Sequence, residues 1–405
     1  MQENNSDQKS NIEEIFFQID SNSIEANKDM SPIFPHSPNS PDITTRKLES
    51  RIQDYTVKDP EEILTFTSLE ETALQLEYEE ETTLKIKVKS GMESQLSDKH
   101  FLKFENLTKR LSDHNLRNKQ PEPETLWQWA YATVIGFFKK SKLPKHLRIT
   151  KIIVTLNDCQ EVGDQGIEAL IDFIKTFENL TYIEFEVKNT AVTDHSVGMI
   201  CSLLGTLKYL TYFYVDFSEC KITDEGVFFL ANSFKNKDKL EEIWLRFSWC
   251  PNDAITNDSL QALSKTLETC KKLKVLLLEF NGHSHVSSKG LSAILGAVKE
   301  KDLQKLYLYF EKSQVNDNFL NYAGEILPNL WRLEVFGLNL ANSNFVTVRG
   351  VEALEKGLQS LRYLRTGLYL YFNGCLGILE KEKMKRSIDE LIEAKKVRSY
   401  VIEFE

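Results

Sequence analysis

Residues 240–250, which read LEEIWLRFSWC, decide the fold. In this stretch apolar residues stand at positions 1, 4, 6 and 8, and a cysteine stands at position 11. The alternation at positions 4, 6 and 8 predicts a β-strand with one buried face, because successive strand side chains point to opposite sides. The same frame recurs roughly every 30 residues. Its other copies begin at Ile149, Leu180, Leu210, Leu273, Leu303, Leu330 and Arg365.

Two copies depart from the frame. The copy that begins at Leu330 has Gly337 where the fourth apolar residue is expected, and the last copy begins with Arg365 in place of an apolar residue. Both keep enough of the pattern to be counted, and we therefore predict eight repeated units.

A second pattern follows each strand. Residues 222–227 read ITDEGV, and a helical apolar spacing begins directly after the Thr-Asp pair. Thr, Asp, Asn and Ser are the usual N-cap residues, because a side-chain oxygen accepts a hydrogen bond from a free N–H of the first helical turn. Each unit is therefore predicted to be a strand, a loop and a helix. Equivalent stretches are residues 162–167, 192–197, 255–260 and 286–291.

These units resemble leucine-rich repeats of the ribonuclease-inhibitor type, in a long-strand form. The resemblance covers residues 149–379 well and residues 80–405 loosely. It implies an α/β solenoid, or horseshoe, with a parallel sheet on the concave side and helices on the convex side. It also implies recognition of a partner by the concave sheet or its rims. A few members of the family regulate small GTPases or act as substrate receptors of ubiquitin ligases.

The chain divides into four predicted regions. Residues 1–45 are rich in Ser, Pro and Asn and are expected to form a disordered arm. Residues 46–148 are an N-terminal cap or degenerate repeats, in which Thr83–Val88 alternates like a strand. Residues 149–379 carry the repeats. Residues 380–405 are predicted to cap the solenoid with a charged helix and a final strand.

Composition narrows the classes of function. The chain has 60 acidic and 50 basic residues and a net charge of −10, which argues against nucleic-acid or anionic-membrane partners. We find no leader-like N-terminus and no run of about 18 apolar residues that could span a membrane. Six scattered cysteines are typical of a reducing compartment. We therefore expect an intracellular, cytoplasmic protein.

The cysteines and histidines do not form a pattern that predicts a metal site. One cysteine per unit cannot bring several ligands to one centre, so the cysteines at position 11 are predicted to be structural thiols. His283 and His285 are predicted to be exposed to solvent. Phosphate-binding, dinucleotide-binding, zinc-protease, CxxC and nucleophile-elbow motifs do not occur in the sequence. We therefore expect no enzymatic activity, cofactor or small-molecule substrate. The position-11 cysteines are Cys159, Cys220, Cys250 and Cys375.

Candidate binding residues lie between the buried strand positions and therefore face the concave side. They are unusually rich in Tyr, Trp and Arg, the residues enriched at interface hot spots. Two alternatives stay open at this point: the N-terminal arm could lie on this face, or aromatic residues could simply suit a pleated surface. The candidates are Tyr182, Tyr212, Tyr214, Trp244, Arg246, Tyr307, Tyr309, Phe336, Tyr369 and Tyr371.

The sequence therefore predicts a non-catalytic interaction or scaffold protein, with a protein partner in a multi-subunit or cytoskeletal assembly. A ubiquitin-ligase substrate receptor is an alternative, because Pro60–Leu64 faintly resembles the start of the three-helix F-box module. A small-GTPase regulator is a weaker alternative, since no polar rim residue can be named for that role. Ser31, Ser37 and Ser40 each precede a proline and are candidate sites for proline-directed kinases.

Overall fold

The computed structural model describes residues 149–404, apart from 176, 236, 252–253 and 376, and the backbone of two earlier strands. The predicted arm at residues 1–45 and the candidate phosphorylation sites Ser31, Ser37 and Ser40 lie outside the described residues.

The strands form one open sheet of 11 strands, whose order in space is their order in the chain. The first two strands pair antiparallel, and every later neighbouring pair is parallel. The strands are β1 Leu74–Glu79, β2 Thr83–Val88, β3 Lys151–Thr155, β4 Tyr182–Glu186, β5 Tyr212–Asp216, β6 Glu242–Arg246, β7 Val275–Glu279, β8 Lys305–Tyr309, β9 Val335–Asn339, β10 Gly367–Tyr371 and β11 Ser399–Glu403.

Helices alternate with the parallel strands and pack on one side of the sheet through a continuous apolar core. This is a leucine-rich-repeat solenoid, as the repeat frame predicts. The strand expected at Thr83–Val88 and the final helix and strand are also present. The helices are α1 Asp164–Ile174, α2 Asp194–Thr206, α3 Asp224–Ser233, α4 Asn257–Leu267, α5 Ser288–Val298, α6 Asp317–Ile326, α7 Val348–Ser360 and α8 Lys381–Lys395.

The predicted N-caps hold the units together as well as starting the helices. Thr193 caps α2 by accepting a hydrogen bond from the backbone N–H of His195. The Thr193 N–H and hydroxyl in turn donate to the carboxylate of Asp164, at the start of α1, at 3.0 and 2.7 Å. The same pairing joins Asp194 to Thr223 in the next unit, at 2.9 and 2.7 Å. Each of these first-turn aspartates therefore stabilises the cap of the following helix.

The turn after each strand repeats as strictly as the strand itself. At position 10 the backbone adopts a positive φ in all eight units, and at position 11 a small or polar side chain is buried. The position-10 residues are Asp158, Asn189, Glu219, Trp249, Gly282, Lys312, Asn342 and Gly374. The position-11 residues are Cys159, Thr190, Cys220, Cys250, His283, Ser313, Ser343 and Cys375.

The turn positions correct the frame of one unit. Counting back from Asn342 at position 10 places position 1 at Leu333, three residues later than Leu330. Phe336 therefore occupies position 4, pairs with Leu306 of β8 and is buried in the core. Its assignment to the binding face is wrong, because the side chain points to the helix side of the sheet.

The prediction that His283 is exposed is also wrong. The side chain is 0% exposed and its Nε2 lies 2.7 Å from the carbonyl oxygen of Phe247. In the unit before it, the thiol of Cys250 lies 3.3 Å from the same carbonyl oxygen, so the imidazole continues the row of buried position-11 side chains. His285 is exposed as predicted.

Candidate functional site: the outer face of the sheet

The outer face of the sheet is the face opposite the helices, and it consists of the first, third and fifth residues of the repeat strands. Strand pairing aligns these residues into three rows. The first row is Lys151, Tyr182, Tyr212, Glu242, Val275, Lys305, Val335 and Gly367. The middle row is Ile153, Glu184, Tyr214, Trp244, Leu277, Tyr307, Gly337 and Tyr369. The last row is Thr155, Glu186, Asp216, Arg246, Glu279, Tyr309, Asn339 and Tyr371.

The middle row carries a chain of four aromatic side chains, which we call the aromatic row: Tyr214, Trp244, Tyr307 and Tyr369. Their ring centroids lie 6.4 Å apart between Tyr214 and Trp244, 5.9 Å between Trp244 and Tyr307, and 6.3 Å between Tyr307 and Tyr369. These are normal distances for favourable aromatic pairs. Only the first pair lies on neighbouring strands, and the other two each span an intervening strand.

The residues on the two intervening strands explain how the rings meet. Leu277 on β7 is 1% exposed, between strands that carry Trp244 and Tyr307. On β9 the intervening residue is Gly337, and a Cβ there would lie 2.6 Å from Cδ1 of Tyr307. The absence of a side chain at Gly337 therefore leaves the space that the Tyr307 ring occupies.

The aromatic row continues into the last row of the face. Tyr309 packs edge-on against Tyr307, with centroids 6.1 Å apart, and against Tyr371, with centroids 6.3 Å apart. Four tyrosines on β8 and β10 thus form a contiguous cluster. Pairwise ring contacts thus link six of the predicted binding residues into one continuous set.

Burial differs among these side chains. Trp244 is 5% exposed and Tyr307 is 2% exposed, whereas Tyr214, Tyr309 and Tyr369 are half-buried. The outer face is therefore a packed layer rather than a solvated sheet surface. A molecule that contacts the layer would meet the half-buried rings first, with Trp244 and Tyr307 as their support.

The charged end of the outer face lies on β4–β7. Arg246 on β6 places Nε 3.3 Å from Oε2 of Glu279 and Nη1 3.8 Å from Oδ2 of Asp216. The guanidinium carbon also lies 5.8 Å from the ring centroid of Tyr214. Arg246 thereby connects the aromatic row to carboxylates on both neighbouring strands.

Glu186 is the carboxylate at this end with the most altered acidity. Burial, together with the negative charges of Glu184 and Asp216, raises the pKa of Glu186 to about 7. The positive charge of Arg246 acts in the opposite direction and does not compensate. Glu186 thus changes its protonation near neutral pH, and a cation near it would favour the ionised form.

Two tyrosines of the first row are stacked beside these carboxylates. The rings of Tyr182 and Tyr212 are 3.9 Å apart at 4°, and the Tyr182 hydroxyl donates to Glu184 Oε2 at 2.5 Å. Lys151 Nζ lies 4.0 Å from the Tyr182 ring centroid. Burial raises the pKa of both tyrosines, so their hydroxyls act as neutral donors.

The position-11 cysteines lie at the turns, away from the outer face. The Cys220 thiol lies 3.1 Å from the carbonyl oxygen of Val187 and the Cys375 thiol 3.1 Å from that of Leu340. Burial raises the pKa of the Cys220 and Cys375 thiols to about 11, which keeps these two thiols protonated and poorly nucleophilic.

Metal-binding clusters and membrane-spanning helices are both absent from the described residues. Within the part of the chain that the structure describes, no group of three or more His, Cys, Asp or Glu residues is placed to hold a metal ion. No helix there combines the length and the apolar character needed to cross a bilayer.

Sequence reasoning missed two features of the site and one group of residues outside it. It did not identify Gly337 as the gap under the tyrosine cluster, because the frame that starts at Leu330 puts Gly337 at a buried position. It did not identify the raised pKa of Glu186, although the predicted rows place the carboxylates of Glu184 and Asp216 near that of Glu186. It also overlooked exposed aromatic residues on the loops before the strands, including Trp331.

A comparison with known protein families agrees with the repeat architecture. A family model described as a leucine-rich repeat matches residues 214–231, which run from the Tyr214 strand into α3. No curated protein matches the sequence. Among solved structures, a yeast chain described as "Crystal structure of Rad7 and Elc1 complex in yeast" is 13% identical, with a TM-score of 0.29. That match covers 57% of this chain and 71% of the yeast chain.

Proposed function

We propose that this leucine-rich-repeat chain is a non-catalytic interaction protein, and that the outer face of its sheet binds another protein. The observation that carries the proposal is the aromatic row. Its buried members, Trp244 and Tyr307, pack against its half-buried members, Tyr214 and Tyr369, and Arg246 lies beside Tyr214. Tyr, Trp and Arg in such surroundings are the residues that contribute most to binding energy at protein interfaces.

The packing of the aromatic row lowers the entropy cost of binding a partner. Association costs free energy when it immobilises side chains that move in the unbound protein. Tyr214, Tyr309 and Tyr369 are already held by ring contacts, so little rotamer entropy remains to be lost. The rigid parallel sheet holds the spacing of these rings constant, so the surface is organised before a partner arrives.

Two alternative roles of the aromatic face compete with this proposal. Aromatic residues could serve only to pack the sheet, and the burial of Trp244 and Tyr307 is consistent with that role. Alternatively, residues 1–45 of the same chain could occupy the face. If the rings only pack the sheet, their substitution by alanine should cause a large loss of stability. If residues 1–45 occupy the face, contacts should form between the face and that segment of the same chain.

The ubiquitin-ligase alternative needs a helical module ahead of the repeats. Within residues 59–110 the described segments are strands β1 and β2, which pair as a hairpin at the edge of the sheet. The comparisons add no residue-level support for that alternative or for GTPase regulation. Membership of a multi-subunit or cytoskeletal assembly remains a proposal of the same kind.

The test is affinity capture of partners from extracts of the source cells, with quantitative mass spectrometry. The variant Tyr212→Ala/Tyr214→Ala/Tyr369→Ala alters half-buried rings and leaves Trp244 and Tyr307 in place. A matched control, Tyr209→Ala/Phe345→Ala, removes exposed aromatics from outside the outer face. We expect proteins that are retained by the wild type and the control to be lost from the triple variant. Equal retention by all three would overturn the proposal.

A further inference from the structure

A second surface of unusual composition lies at the amino-terminal ends of β9, β10 and β11, in the loops that precede these strands. We call it the basic rim. All of its side chains are exposed, and none of its members belongs to the outer face of the sheet. The basic rim consists of Trp331, Arg332, Arg362, Tyr363, Arg365 and Arg398.

The aromatic members of the basic rim are unusually open to solvent. Trp331 is 50% exposed and Tyr363 is 47% exposed, although their ring centroids lie only 6.3 Å apart. The Arg332 guanidinium carbon lies 4.6 Å from the Trp331 ring centroid. Two large exposed rings and an arginine in contact are the composition of a binding hot spot, and they are not needed for the core.

A shallow cleft adjoins Trp331. It lies between the end of α6 and the loop before β8, with the apolar side chains of Ile326 and Pro328 beside the basic side chains of Lys299 and Lys301. Glu300 is the only acidic residue among its lining residues. The cleft extends the basic rim, because Trp331 forms part of both surfaces.

The charge of the basic rim differs from that of the molecule. The chain carries a net charge of −10, yet the exposed residues of these three loops include four arginines and a single carboxylate, that of Glu334, whose Oε2 lies 3.5 Å from Thr366 Oγ1. Arg332 is paired with Asp302, at 3.4 Å between Nε and Oδ1. Among the described residues no ion pair joins Arg362, Arg365 or Arg398 to a carboxylate.

Two of the arginines, Arg365 and Arg398, are neighbours across adjacent loops. The backbone N–H of Arg398 donates to the carbonyl oxygen of Arg365 at 2.9 Å, so these two residues lie on adjacent loops. Burial lowers the pKa of the neighbouring Lys395, and the positive charge of Arg365 lowers it further. Like charges are thus gathered at this rim, and the arrangement favours a negatively charged ligand.

We propose that the basic rim is a second interaction surface, and that it binds an acidic peptide segment of a protein partner. The arginines would pair with carboxylates of the segment, and Trp331 with the adjoining cleft would hold an apolar side chain. Nucleic acid fits less well. The rings of Trp331 and Tyr363 are inclined at 59° and do not form a flat platform for successive bases.

The test is fluorescence anisotropy of a short labelled peptide that is rich in glutamate and contains leucine, measured against the full-length chain. The variant Arg362→Glu/Arg365→Glu/Arg398→Glu reverses the rim charge. The control Lys265→Glu/Lys289→Glu/Arg349→Glu makes the same change in net charge at exposed helix positions outside the rim. We expect about a tenfold or greater rise in Kd for the rim variant and less than about a twofold rise for the control, since each exposed ion pair contributes modestly.

Three results would overturn the proposal. The first is equal weakening by the rim variant and the control, which would indicate a general effect of net charge. The second is wild-type affinity for the acidic peptide no higher than for a lysine-rich peptide of the same length. The third is tighter binding of a single-stranded DNA oligonucleotide than of the peptide. A further variant, Trp331→Ala/Tyr363→Ala, is expected to weaken the peptide about threefold without changing the salt dependence. None of these variants alters the outer face, so failure here and failure of the proposed function are distinguishable.

Discussion

The two faces of the sheet both carry columns of aromatic rings, and the columns are built differently. On the helix side, Phe247, Phe280 and Phe310 occupy position 8 of successive units, with centroids 5.2 and 5.7 Å apart. On the outer face, two of the three contacts of the aromatic row skip a strand, and the rings are tilted by 32–39°. The phenylalanine column places one ring at the same position of each successive unit. The contacts of the aromatic row depend instead on which residues occupy the intervening strands β7 and β9.

The chemistry of the two columns differs as well. The core column consists of hydrocarbon rings that only exclude water, and it needs no partner beyond its neighbours. The outer row carries hydroxyl and indole groups and ends at Arg246 and the carboxylates of β4–β7. Packing thus accounts fully for the core column, but it gives no reason for the polar groups of the outer row. This difference is the reason to propose binding at the outer face.

The largest expected effect comes from the core column. Phe280→Ala removes a fully buried ring that lies between two others, and we expect a loss of about 4 kcal/mol in the free energy of unfolding. Urea unfolding followed by circular dichroism measures it. A loss below about 1 kcal/mol would mean that the column is not a principal part of the core.

The outer row should be less sensitive. Trp244→Ala removes contacts with Tyr214 and Tyr307, but the layer has the core on one side only, and we expect a loss of about 2 kcal/mol. The same unfolding measurement applies. A loss as large as that of Phe280→Ala would make the outer row a second core and would favour a packing role over binding.

The carboxylate end of the outer face makes a prediction about pH. Because the pKa of Glu186 is raised to about 7 from 4.5, the folded state holds a proton that the unfolded state has lost between these pH values. The contribution of Glu186 to stability therefore falls as pH rises through this window. Glu186→Gln should be about 1 kcal/mol more stable than the wild type at pH 8, with the difference smallest near pH 4, as unfolding at each pH would show.

A contrasting carboxylate provides the control. Burial alone would raise the pKa of Asp164, but hydrogen bonds from Ser196 and Thr193 lower it below its ordinary value. Its contribution is present at neutral pH and is lost as pH falls through the lowered pKa. Asp164→Asn should therefore be destabilised at pH 7 and approach the wild type in acid. The same pH dependence for both variants would contradict these assignments.

A comparably small effect is expected at Gly337. In Gly337→Ala the new methyl group meets Tyr307 Cδ1 and must displace the ring, and we expect a loss of about 1 kcal/mol in stability together with weaker partner binding. Gly205→Ala is the matched control, because its Cβ meets nothing within 4 Å near the end of α2, where alanine favours the helix. Equal effects of the two substitutions on thermal unfolding would mean that the space under Tyr307 is unimportant.

The strands and helices were predictable because each unit repeats its apolar frame and its cap residues. The unit at β9 was not, since Leu330 and Leu333 are both buried leucines three residues apart and either can start the frame. The turn residue Asn342 distinguishes them, because position 10 has a positive φ in every unit. His283 was misjudged for a related reason: histidine is rarely buried, but position 11 is buried in all units.

The candidate site was predictable only in part. Alternation along the strands identifies which side chains share the outer face, and nine of the ten predicted residues lie there. Ring contacts across β7 and β9, and the acidity of Glu186, depend on side chains that are distant in sequence. The domain boundaries and the ribonuclease-inhibitor subtype stay predictions.

The most direct test of binding at the outer face is site-specific photo-crosslinking. A photoreactive phenylalanine would replace Tyr369 on the outer face in one variant and the exposed Phe229 on α3 in another, and each would be irradiated in extracts of the source cells. We predict crosslinks from position 369 to a separate protein and fewer or none from position 229. Crosslinks from position 369 only to residues 1–45 of the same chain, or to nothing while position 229 reacts, would contradict the proposal.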